Sequence, residues 1–560
     1  MPLHVTGDPL SILERITAGY FEGLPIADAQ EMLRKRNIMI TGVEHQPPEF
    51  NEHGGFESIE TRMNALVPIQ GQSLEMNQVS CIKQQRVGTL AQLLDASRQE
   101  NGRIMNSFAL KSLNPVGPAH FSSCLEALLG TEGRPFCEQH YPTNENFWER
   151  RLTRKGAQQS FPINADGLCT RFEVRRGGVW AVFDRPRFGG CKNNQIEHDS
   201  FKDKESFPSD FAATDMPDTF SHYEAVYLTP GNSLLLVPGT RTMIYAIERS
   251  ICQRSYFYTT SKLTDTLSAI VHDLIAGGVV RDNSCQPYRA LLLRMIHYFH
   301  EEFIVLGHNI KEFGHLPNLN SMVGLLDFLT LCNIGILFNV LDRRTYEPST
   351  VDSLQAQEYD WNTIPDYERQ RFVYARGLSL ELLHWLASKF AVMDVRDNAG
   401  KMLDIETMHS SHIIQQGLYI LQHLERRVEE EVKDSLCLPM ANKVMLRRQL
   451  AWAMHTIPWV GTSWTEAVEK GDSSGSLNCI ECDSFKSVPR DIQGGLQLPW
   501  ASKKVRQMGL TAGDRFLQDE LSGMVYPERT AVNRHKSSKR ELDQLPLSPR
   551  NFKRRRVLEI

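Results

Sequence analysis

The chain has 560 residues, of which 41% are hydrophobic and 23% are charged, and its formal net charge is −5. This composition is typical of a globular protein with several domains, and it excludes a wholly disordered chain, a collagen-like fibre and a disulfide-stapled miniprotein. The charge is unevenly distributed. Residues 531–560 contain nine Lys or Arg and three Asp or Glu, a local charge of +6, so the other 530 residues carry −11. We therefore expect an acidic body with a basic tail.

The cysteines and the most apolar segment bear on the environment of the protein. Eleven Cys residues are irregularly spaced, and the first residues do not show the pattern of a secretory signal, so we expect reduced thiols in an intracellular protein. The most apolar segment, 322–341, contains Asp327, Asn333 and Asn339. Because polar groups are costly at the centre of a bilayer, this segment predicts a buried helix and no membrane span.

The first part of the chain shows mixed helical and strand patterns. Apolar spacing predicts helices over 10–20, 89–97, 120–129 and 144–154, and a strand over 106–110. Residues 157–260 then change to period-two alternation, which predicts short strands over 168–175, 179–183, 225–228, 233–237, 242–247 and 256–259. Turns are predicted at Pro230-Gly231, at Pro238-Gly239 and over 250–252. Short strands between such turns are typical of a sandwich or barrel, and the polar segment 188–220 predicts a long inserted loop.

Helical spacing dominates after residue 260. Helices are predicted over 263–274, 287–306, 319–341, 368–393, 402–432 and 441–457, and the Gly/Ser runs and prolines after residue 470 predict disorder. The expected fold class is therefore α+β. We expect four regions: a mixed N-terminal region (1–103), a β-barrel domain (104–280), an α-helical domain (281–470) and a disordered tail with two basic clusters (471–560).

The turns and strands of the β region resemble a known enzyme family. The resemblance rests on 161–170, 177–180 and Arg185-Pro186 in its first half, and on 227–240 and 245–258 in its second half. These segments are similar to the JmjC domains of large fungal proteins, over residues 104–280. The resemblance implies a double-stranded β-helix, which is the cupin-like barrel, followed by the α-helical domain.

JmjC enzymes hold Fe(II) with a His-x-Asp/Glu pair and a distant His, and commonly bind 2-oxoglutarate through a Lys. At the matching metal positions this chain has Pro162, Asn164 and Thr242, and at the Lys position it has Gly178. A proline ring has no donor atom, and an amide or a hydroxyl is a neutral, weak ligand. The resemblance therefore implies a catalytically degenerate barrel, for which we expect neither Fe(II) nor 2-oxoglutarate as a cofactor.

An alternative interpretation keeps the iron chemistry through displaced ligands. Asp166 follows Asn164 by two residues, and His198 and His222 lie in or beside the inserted loop. Ligands from these residues would give an active Fe(II)/2-oxoglutarate-dependent dioxygenase, such as a protein hydroxylase or a histone demethylase. Histidines in loops are more often solvated surface groups, which favours the degenerate barrel.

Two histidine pairs in the helical half have a spacing that could bind a metal. His297 with His300, and His409 with His412, each lie three residues apart and so share one helix face. Neither pair has the Glu of an HExxH motif. We therefore expect them at the surface or in packing between helices.

The tail carries the clearest indication of location. Its basic residues form two clusters: Lys536, Lys539 and Arg540, and then Lys553, Arg554, Arg555 and Arg556. In an exposed segment, two such clusters are typical of a nuclear import signal, which a nuclear import receptor binds. Nonspecific contact with nucleic acid through the tail is the alternative interpretation.

The interpretation favoured by these patterns is a nuclear, JmjC-like pseudoenzyme that acts in protein or chromatin interaction. Its expected partners are the import receptor and an unidentified protein or chromatin component, with no membrane, and with direct nucleic-acid contact through the tail only. The alternatives are the active dioxygenase and a DNA-associated nuclear factor.

Overall fold

The computed structural model describes residues 13–43, 66–72, 84–89, 104–111, 121–131, 148–153, 155–161, 166–184, 223–240, 242–248, 250–276, 286–310, 313–342, 345, 366–396, 400–430, 440–470, 480 and 482–490. Within these ranges the protein has an α+β fold with three β-sheets and several long helices, which confirms the expected fold class at this level. The predicted helix over 89–97, the inserted loop at 188–220 and both basic clusters lie outside the described residues, apart from Thr89.

Sixteen strands occur in the described part of the chain. In order they are β1 (Leu13–Thr17), β2 (Asn37–Thr41), β3 (Leu66–Gln72), β4 (Gln84–Thr89), β5 (Ile104–Lys111), β6 (Trp148–Thr153), β7 (Gln158–Phe161), β8 (Cys169–Arg176), β9 (Val179–Asp184), β10 (Tyr223–Leu228), β11 (Asn232–Leu236), β12 (Thr242–Ala246), β13 (Ser250–Phe257), β14 (Phe390–Asp394), β15 (Met402–Leu403) and β16 (Phe485–Pro489). A large sheet has the order β1-β2-β11-β8-β13-β6-β5-β3-β4. A small sheet has the order β10-β9-β12-β7, and a third has the order β15-β14-β16.

Three strands replace elements that the sequence predicts differently. β1 lies inside the predicted helix 10–20 because all five of its residues pair in parallel with β2. β6 lies inside the predicted helix 144–154 because it pairs with β13 and with β5. The predicted turn at 250–252 is the start of β13, every residue of which is buried. In each case pairing with a distant segment overrides the local pattern.

The large sheet separates two hydrophobic cores, and strand alternation decides which residues enter each core. Leu234 and Leu236 of β11 lie in the core between the large and small sheets, together with Ala181 of β9 and Ile244 of β12. Leu235 points to the opposite face and joins the core that the helices form. Residues on both sides of the predicted boundary at 280 therefore share the larger core.

Ten α-helices occur in the described residues. They are α1 (Ala18–Glu22), α2 (Ile26–Lys35), α3 (Ser123–Gly130), α4 (Leu263–Ala276), α5 (Gln286–His300), α6 (Met322–Leu341), α7 (Asp366–Lys389), α8 (Ile405–Glu430), α9 (Met440–His455) and α10 (Gly461–Glu469). One turn of π-helix, Glu301–Val305, follows α5. A helix is present in each range predicted after residue 260, but the end of the predicted helix 368–393 forms β14 and the start of the predicted helix 402–432 forms β15. Helix α10 has no counterpart among the predictions.

Helix α6 lies at the centre of the helical half. It is the one helix in the described part of the chain that is long and apolar enough to cross a membrane. In the folded protein every residue of α6 except Val323 is buried. A helix that is apolar on all sides is typical of the core of a large domain as well as of a membrane span.

The polar residues of α6 all have partners on neighbouring elements. Arg34 of α2 forms an ion pair with Asp327. The other carboxylate oxygen of Asp327 accepts hydrogen bonds from the backbone N–H of Thr264 (3.2 Å) and from its hydroxyl (3.1 Å). Asp327 therefore joins α2 to α6 and also satisfies an N–H in the first turn of α4.

A second connection lies near the C-terminal end of α6. The Asn339 side chain donates to Gln449 of α9 (2.8 Å) and accepts from the guanidinium of Arg376 on α7 (2.6 Å). Arg376 is completely buried, and its guanidinium carbon lies 4.2 Å from the centre of the Trp452 ring. This cation–π contact and the Asn339 bond join α6, α7 and α9.

A buried polar layer joins the middle of α6 to α8. The Trp459 indole donates to Nδ1 of His409 (3.0 Å), and Nε2 of His409 donates to Asn333 (2.7 Å). Asn333 donates to Gln416 (2.8 Å), whose amide donates to Nε2 of His412 (2.9 Å). Both histidines are neutral in this arrangement, and burial lowers the pKa of His409 to about 3 and that of His412 to about 4.

The third sheet corrects the prediction that all of 471–560 is disordered. β16 pairs antiparallel with β14 over five residues, so 482–490 are ordered. Ser487 is buried in β16, and the guanidinium of Arg396 lies 4.8 Å from the centre of the Phe485 ring. The strand has only five residues and ends in a proline, so the local pattern does not distinguish it from the predicted tail.

Acid should weaken the histidine layer. Because the folded-state pKa values lie below the ordinary value of 6.5, the unfolded chain binds protons between about pH 6.5 and pH 4 that the folded chain does not. The contribution to stability is complete above that window and is lost as the pH falls through it. At about pH 5 we expect a loss on the order of 2 kcal/mol per histidine, measurable by urea unfolding against the same protein at neutral pH.

The variant His412→Gln should reduce this pH dependence by about half, since one of the two groups no longer titrates. The matched control is His455→Gln, because His455 is exposed at the end of α9. An equal pH dependence in wild-type protein and both variants would contradict the assignment of acid sensitivity to this layer.

Candidate functional site

Thr242, which the JmjC resemblance matches to the distant metal-binding His, lies at one end of the two packed sheets. The chain crosses between the sheets there twice, through 162–168 from β7 to β8 and through 237–241 from β11 to β12. Thr242 begins β12 and pairs with Phe161 of β7 and with Phe183 of β9. Pro162 and Asn164 directly follow Phe161 and lie outside the described residues. We call this end of the two sheets the crossover end.

Thr242 is closed off from solvent, with 4% of its surface exposed. On β12 it lies between Phe161 of β7 and Phe183 of β9. Its side chain is a neutral hydroxyl, which is a weak ligand for Fe(II). The side chains that the resemblance assigns to the metal are thus a donor-free ring, an amide and a buried hydroxyl. They do not fit the imidazole and carboxylate set that Fe(II) requires.

Asp166 lies in the first crossing segment, and its carboxylate binds an arginine from the helical half. Nε of Arg289 on α5 donates to Oδ1 of Asp166 (2.6 Å), and Nη2 donates to Asp273 of α4 (2.6 Å). Nη1 donates to the carbonyl oxygen of Leu341 at the end of α6 (2.8 Å). All of these side chains are buried, so Arg289 joins the crossover end to three helices.

The charges of this cluster depend on one another. Burial by itself lowers the pKa of Arg289, but the carboxylates of Asp166, Asp273 and Asp342 outweigh burial and raise it above its ordinary value. Arg289 is therefore permanently charged and compensates the negative charge of the buried carboxylates around it. The carboxylate of Asp166, which a displaced iron site would need, is part of this ion pair.

The crossing segment is held in place by its backbone as well. The Tyr258 hydroxyl donates to the carbonyl oxygen of Asp166 (2.9 Å), and the Thr266 hydroxyl donates to that of Gly167 (2.8 Å). Gly167 has a φ of +67°, and a Cβ at this position would lie 2.5 Å from the Thr266 carbonyl oxygen. Only glycine combines this backbone conformation with such a close approach to α4.

Gly178 is not near Thr242. Phe183 is the β9 residue that pairs with Thr242, whereas Val179, next to Gly178, pairs with Ala246 at the other end of β12. Four residues of β9 separate the two places by about 13 Å. A Cβ at position 178 would lie 2.2 Å from the Tyr227 hydroxyl oxygen, so glycine here makes room for the Tyr227 ring.

The other candidate residues lie elsewhere. His198 and His222 lie outside the described residues, as do the basic residues of the tail. His300 is buried against Glu381, and the ring of His297 stacks on Tyr374 with 5.9 Å between ring centres. In the part of the chain that the structure describes, no group of three or more His, Cys, Asp or Glu side chains is placed to hold a metal ion.

Sequence reasoning did not identify Arg289 and Asp273 as the partners of Asp166. A signal was present, because Arg289 and Arg294 interrupt an apolar run in the predicted helix 287–306. A cation on an apolar helix face indicates a buried partner. The identity of that partner depends on how α4, α5 and the crossing segment pack together, which spacing does not show.

No family model matches this chain, and no curated protein matches it.

Replacing Arg289 should destabilise the protein strongly. Arg289→Met removes the guanidinium that pairs with the buried carboxylates of Asp166 and Asp273, and removing one partner of a buried ion pair costs about 3–5 kcal/mol. The free energy of unfolding in urea, at neutral pH, measures the effect.

The matched control is Arg448→Met, because Arg448 is exposed on α9, and its replacement should change stability by no more than about 0.5 kcal/mol. Adding Asp166→Asn to Arg289→Met should recover part of the loss, since one buried negative charge is then removed. If Arg289→Met is no more destabilising than the control, the cluster does not join the two halves.

Proposed function

We propose that the large and small sheets form a JmjC-like double-stranded β-helix. The order of strands supports this proposal. From β6 to β13 the chain visits the sheets in the order large, small, large, small, small, large, small, large. The strands lie as β6-β13-β8-β11 within the large sheet and as β7-β12-β9-β10 in the small one. Two interleaved four-stranded sheets of this kind are typical of the eight-stranded jelly rolls that include the cupins, and they differ from a meander.

On this scaffold, the protein acts as a catalytically degenerate interaction protein. The observation that carries the proposal is the Arg289 cluster, since the carboxylate in the crossing segment pairs with a cation of the helical half. The crossover end then serves as a joint between the β region and the helices. The partner, a protein or chromatin component, binds to the surface of the β region and the helices that are joined in this way.

The proposal predicts that the purified protein neither holds stoichiometric iron nor forms succinate from 2-oxoglutarate. The matched side chains carry no negative charge and no imidazole nitrogen. Metal analysis after incubation with Fe(II), and a succinate assay with candidate peptides, measure the two properties. One Fe(II) per chain together with turnover would overturn the proposal and favour displaced ligands such as His198 or His222.

Restoring the family ligands provides a second arm of the same test. The triple variant Pro162→His, Asn164→Asp and Thr242→His should gain measurable metal affinity if the crossover end keeps its shape. It should still not turn over, because Gly178, the position matched to the family lysine, has no side chain and lies away from Thr242, so this anchor for the 2-oxoglutarate carboxylate is absent. Turnover by the triple variant would show that the interior retains a cosubstrate site.

The proposal also includes nuclear location through the basic tail. Replacing Lys553, Arg554, Arg555 and Arg556 by Ala should move a fluorescent fusion to the cytoplasm, because an import receptor recognises extended basic clusters. The control exchanges Lys for Arg and Arg for Lys at the same four positions, which keeps the charge and should keep the fusion nuclear. Nuclear accumulation of the alanine variant equal to that of the parent would contradict this signal.

A further inference from the structure

The outer face of the small sheet carries two apolar rows that cross three strands. In the first row, Tyr227 of β10 lies opposite Trp180 of β9, which lies opposite Tyr245 of β12. We call these three residues the aromatic row. Alternation places them on the face opposite Ala181 and Ile244, which lie in the core between the sheets.

A second row runs beside the aromatic row, two residues away along each strand. It consists of Ala225, Val182 and Met243, which lie opposite one another in the same register. The two rows together contain no charged residue. Tyr227 is 38% exposed and Tyr245 is 42% exposed, so the face is open to a ligand at the aromatic row.

The position of the Tyr227 ring depends on Gly178. A Cβ at position 178 would lie 2.2 Å from the Tyr227 hydroxyl oxygen and 2.8 Å from the ring carbon that bears it. The ring centres of Tyr227 and Trp180 are 5.4 Å apart. The Tyr227 ring keeps this place beside Trp180 because glycine leaves room for its hydroxyl.

The size of this face limits its occupant. Four strands about 4.8 Å apart, with about five residues each at 3.3 Å per residue, cover roughly 300 Å². A stable protein–protein interface buries about 800 Å² on each partner. The face is therefore too small for a folded partner or a second copy of the chain to bind through it alone, and it suits a short peptide segment.

The surroundings of the aromatic row favour an uncharged occupant. Exposed Lys155 and Arg176 lie beside the end of the sheet where Gly178 and Ala246 meet, and exposed Glu248 lies there with them. Their charges largely cancel, and the two rows themselves carry none. A polyanion or a polycation finds no field of one sign here, so an apolar segment fits this face better.

The backbone of these strands leaves no place for a further strand. β9 pairs with β10 and β12 on its two sides, and β12 pairs with β9 and β7. Strand addition needs a free sheet edge, so a ligand on this face is recognised by side chains alone. Proline-rich segments in the polyproline II conformation dock on aromatic side chains in this way, and they form no internal backbone hydrogen bonds.

The spacing of the aromatic row matches such a ligand. Neighbouring strands lie about 4.8 Å apart, so Tyr227 and Tyr245, two strands apart, are separated by about 9.6 Å at the backbone. In polyproline II, residues i and i+3 share one edge of the helix and lie about 9.3 Å apart. A segment that crosses the strands along the row therefore places one proline on each tyrosine, with Trp180 beneath the two residues between them.

We propose that the aromatic row binds a proline-rich segment of a partner protein in the polyproline II conformation. The segment loses little conformational entropy on binding because its conformation is already fixed, so a small contact area suffices. The inference deepens the proposed function, on which it rests for the role of the surface as an interaction site. The iron and succinate assays test the loss of catalysis, whereas peptide binding tests this face, so the failure of one proposal is distinguishable from the failure of the other.

Fluorescence anisotropy of a labelled decaproline peptide with the full-length protein tests the proposal, and a labelled Gly-Ser decapeptide is the reference. We expect saturable binding of decaproline only. Replacing Tyr227 and Tyr245 together by Ala should weaken it at least about tenfold, since a few aromatic side chains supply most of the binding energy of an interface. Replacing both by Phe should preserve binding, because the rings remain. The matched control is Tyr20→Ala, since Tyr20 is 57% exposed on α1, outside the small sheet.

Further arms test the geometry of the face. Gly178→Ala keeps every ring but requires the Tyr227 side chain to shift, so it should weaken binding. Short peptides with two prolines at i and i+3 should bind more tightly than those with prolines at i and i+4, which lie about 12.4 Å apart and on different edges of the helix. Because the contact involves no charge, raising the salt concentration should change the affinity by less than about twofold. Thermal unfolding shows whether each variant is folded, and the comparison of the two peptides gives a result even if the Ala variant is not.

Five outcomes would overturn the proposal. The parent protein binds decaproline no more tightly than the Gly-Ser peptide, or the parent and the double-Ala variant bind it equally. The two proline spacings bind equally, so that the match to the aromatic row has no effect. The affinity falls steeply with salt, so that charge and not ring packing makes the contact. The double-Ala variant changes self-association but not peptide affinity, so that a second copy of the chain covers the face.

Discussion

Helix α6 is buried on almost every side, so each polar side chain that it carries must find a partner on a neighbouring element. Asp327 is bound by α2 and by the start of α4, Asn333 by α8, and Asn339 by α7 and α9. Because these partners lie on different elements, they define both the rotation of α6 about its axis and its position along that axis. A shift of one residue would leave several buried polar groups unpaired, whereas the apolar residues would tolerate it far better.

The same helix also positions the crossover end. The carbonyl oxygen of Leu341, at the C-terminal end of α6, accepts a hydrogen bond from Arg289, whose other nitrogens bind Asp166 and Asp273. An arginine can make these contacts together because its donors are arranged in a rigid, planar fork. Arg289 thus connects the β region to the centre of the helical half. The large apolar core that extends across both halves provides most of the contact area. The ion-pair cluster fixes how the two halves are oriented, because its hydrogen bonds are directional.

Sequence patterns predicted the elements whose secondary structure depends on their own residues. They failed where pairing with a distant segment determines the secondary structure. Period-two alternation predicted β8, β9 and β12, and apolar composition with isolated polar residues predicted a buried helix at α6. β1 and β6 were predicted as helices because only pairing with β2 and β13 makes them strands. At the candidate site, residue types alone indicated that Pro162 and Thr242 are poor ligands. The ion pair of Asp166 could not be predicted, since Arg289 is 123 residues away.

Gly178 shows why a substituted position needs a structural explanation before it is taken as a loss. Judged from the family pattern alone, glycine at this place is an absent lysine. In the structure, a Cβ there would lie 2.2 Å from the Tyr227 hydroxyl oxygen, so a side chain at this position would require the Tyr227 side chain to shift. Glycine at 178 therefore leaves the Tyr227 ring in the place that it occupies on the small sheet. Contacts outside the space between the two sheets thus involve both positions, since Gly178 faces the Tyr227 hydroxyl and the carboxylate of Asp166 pairs with Arg289 of the helical half.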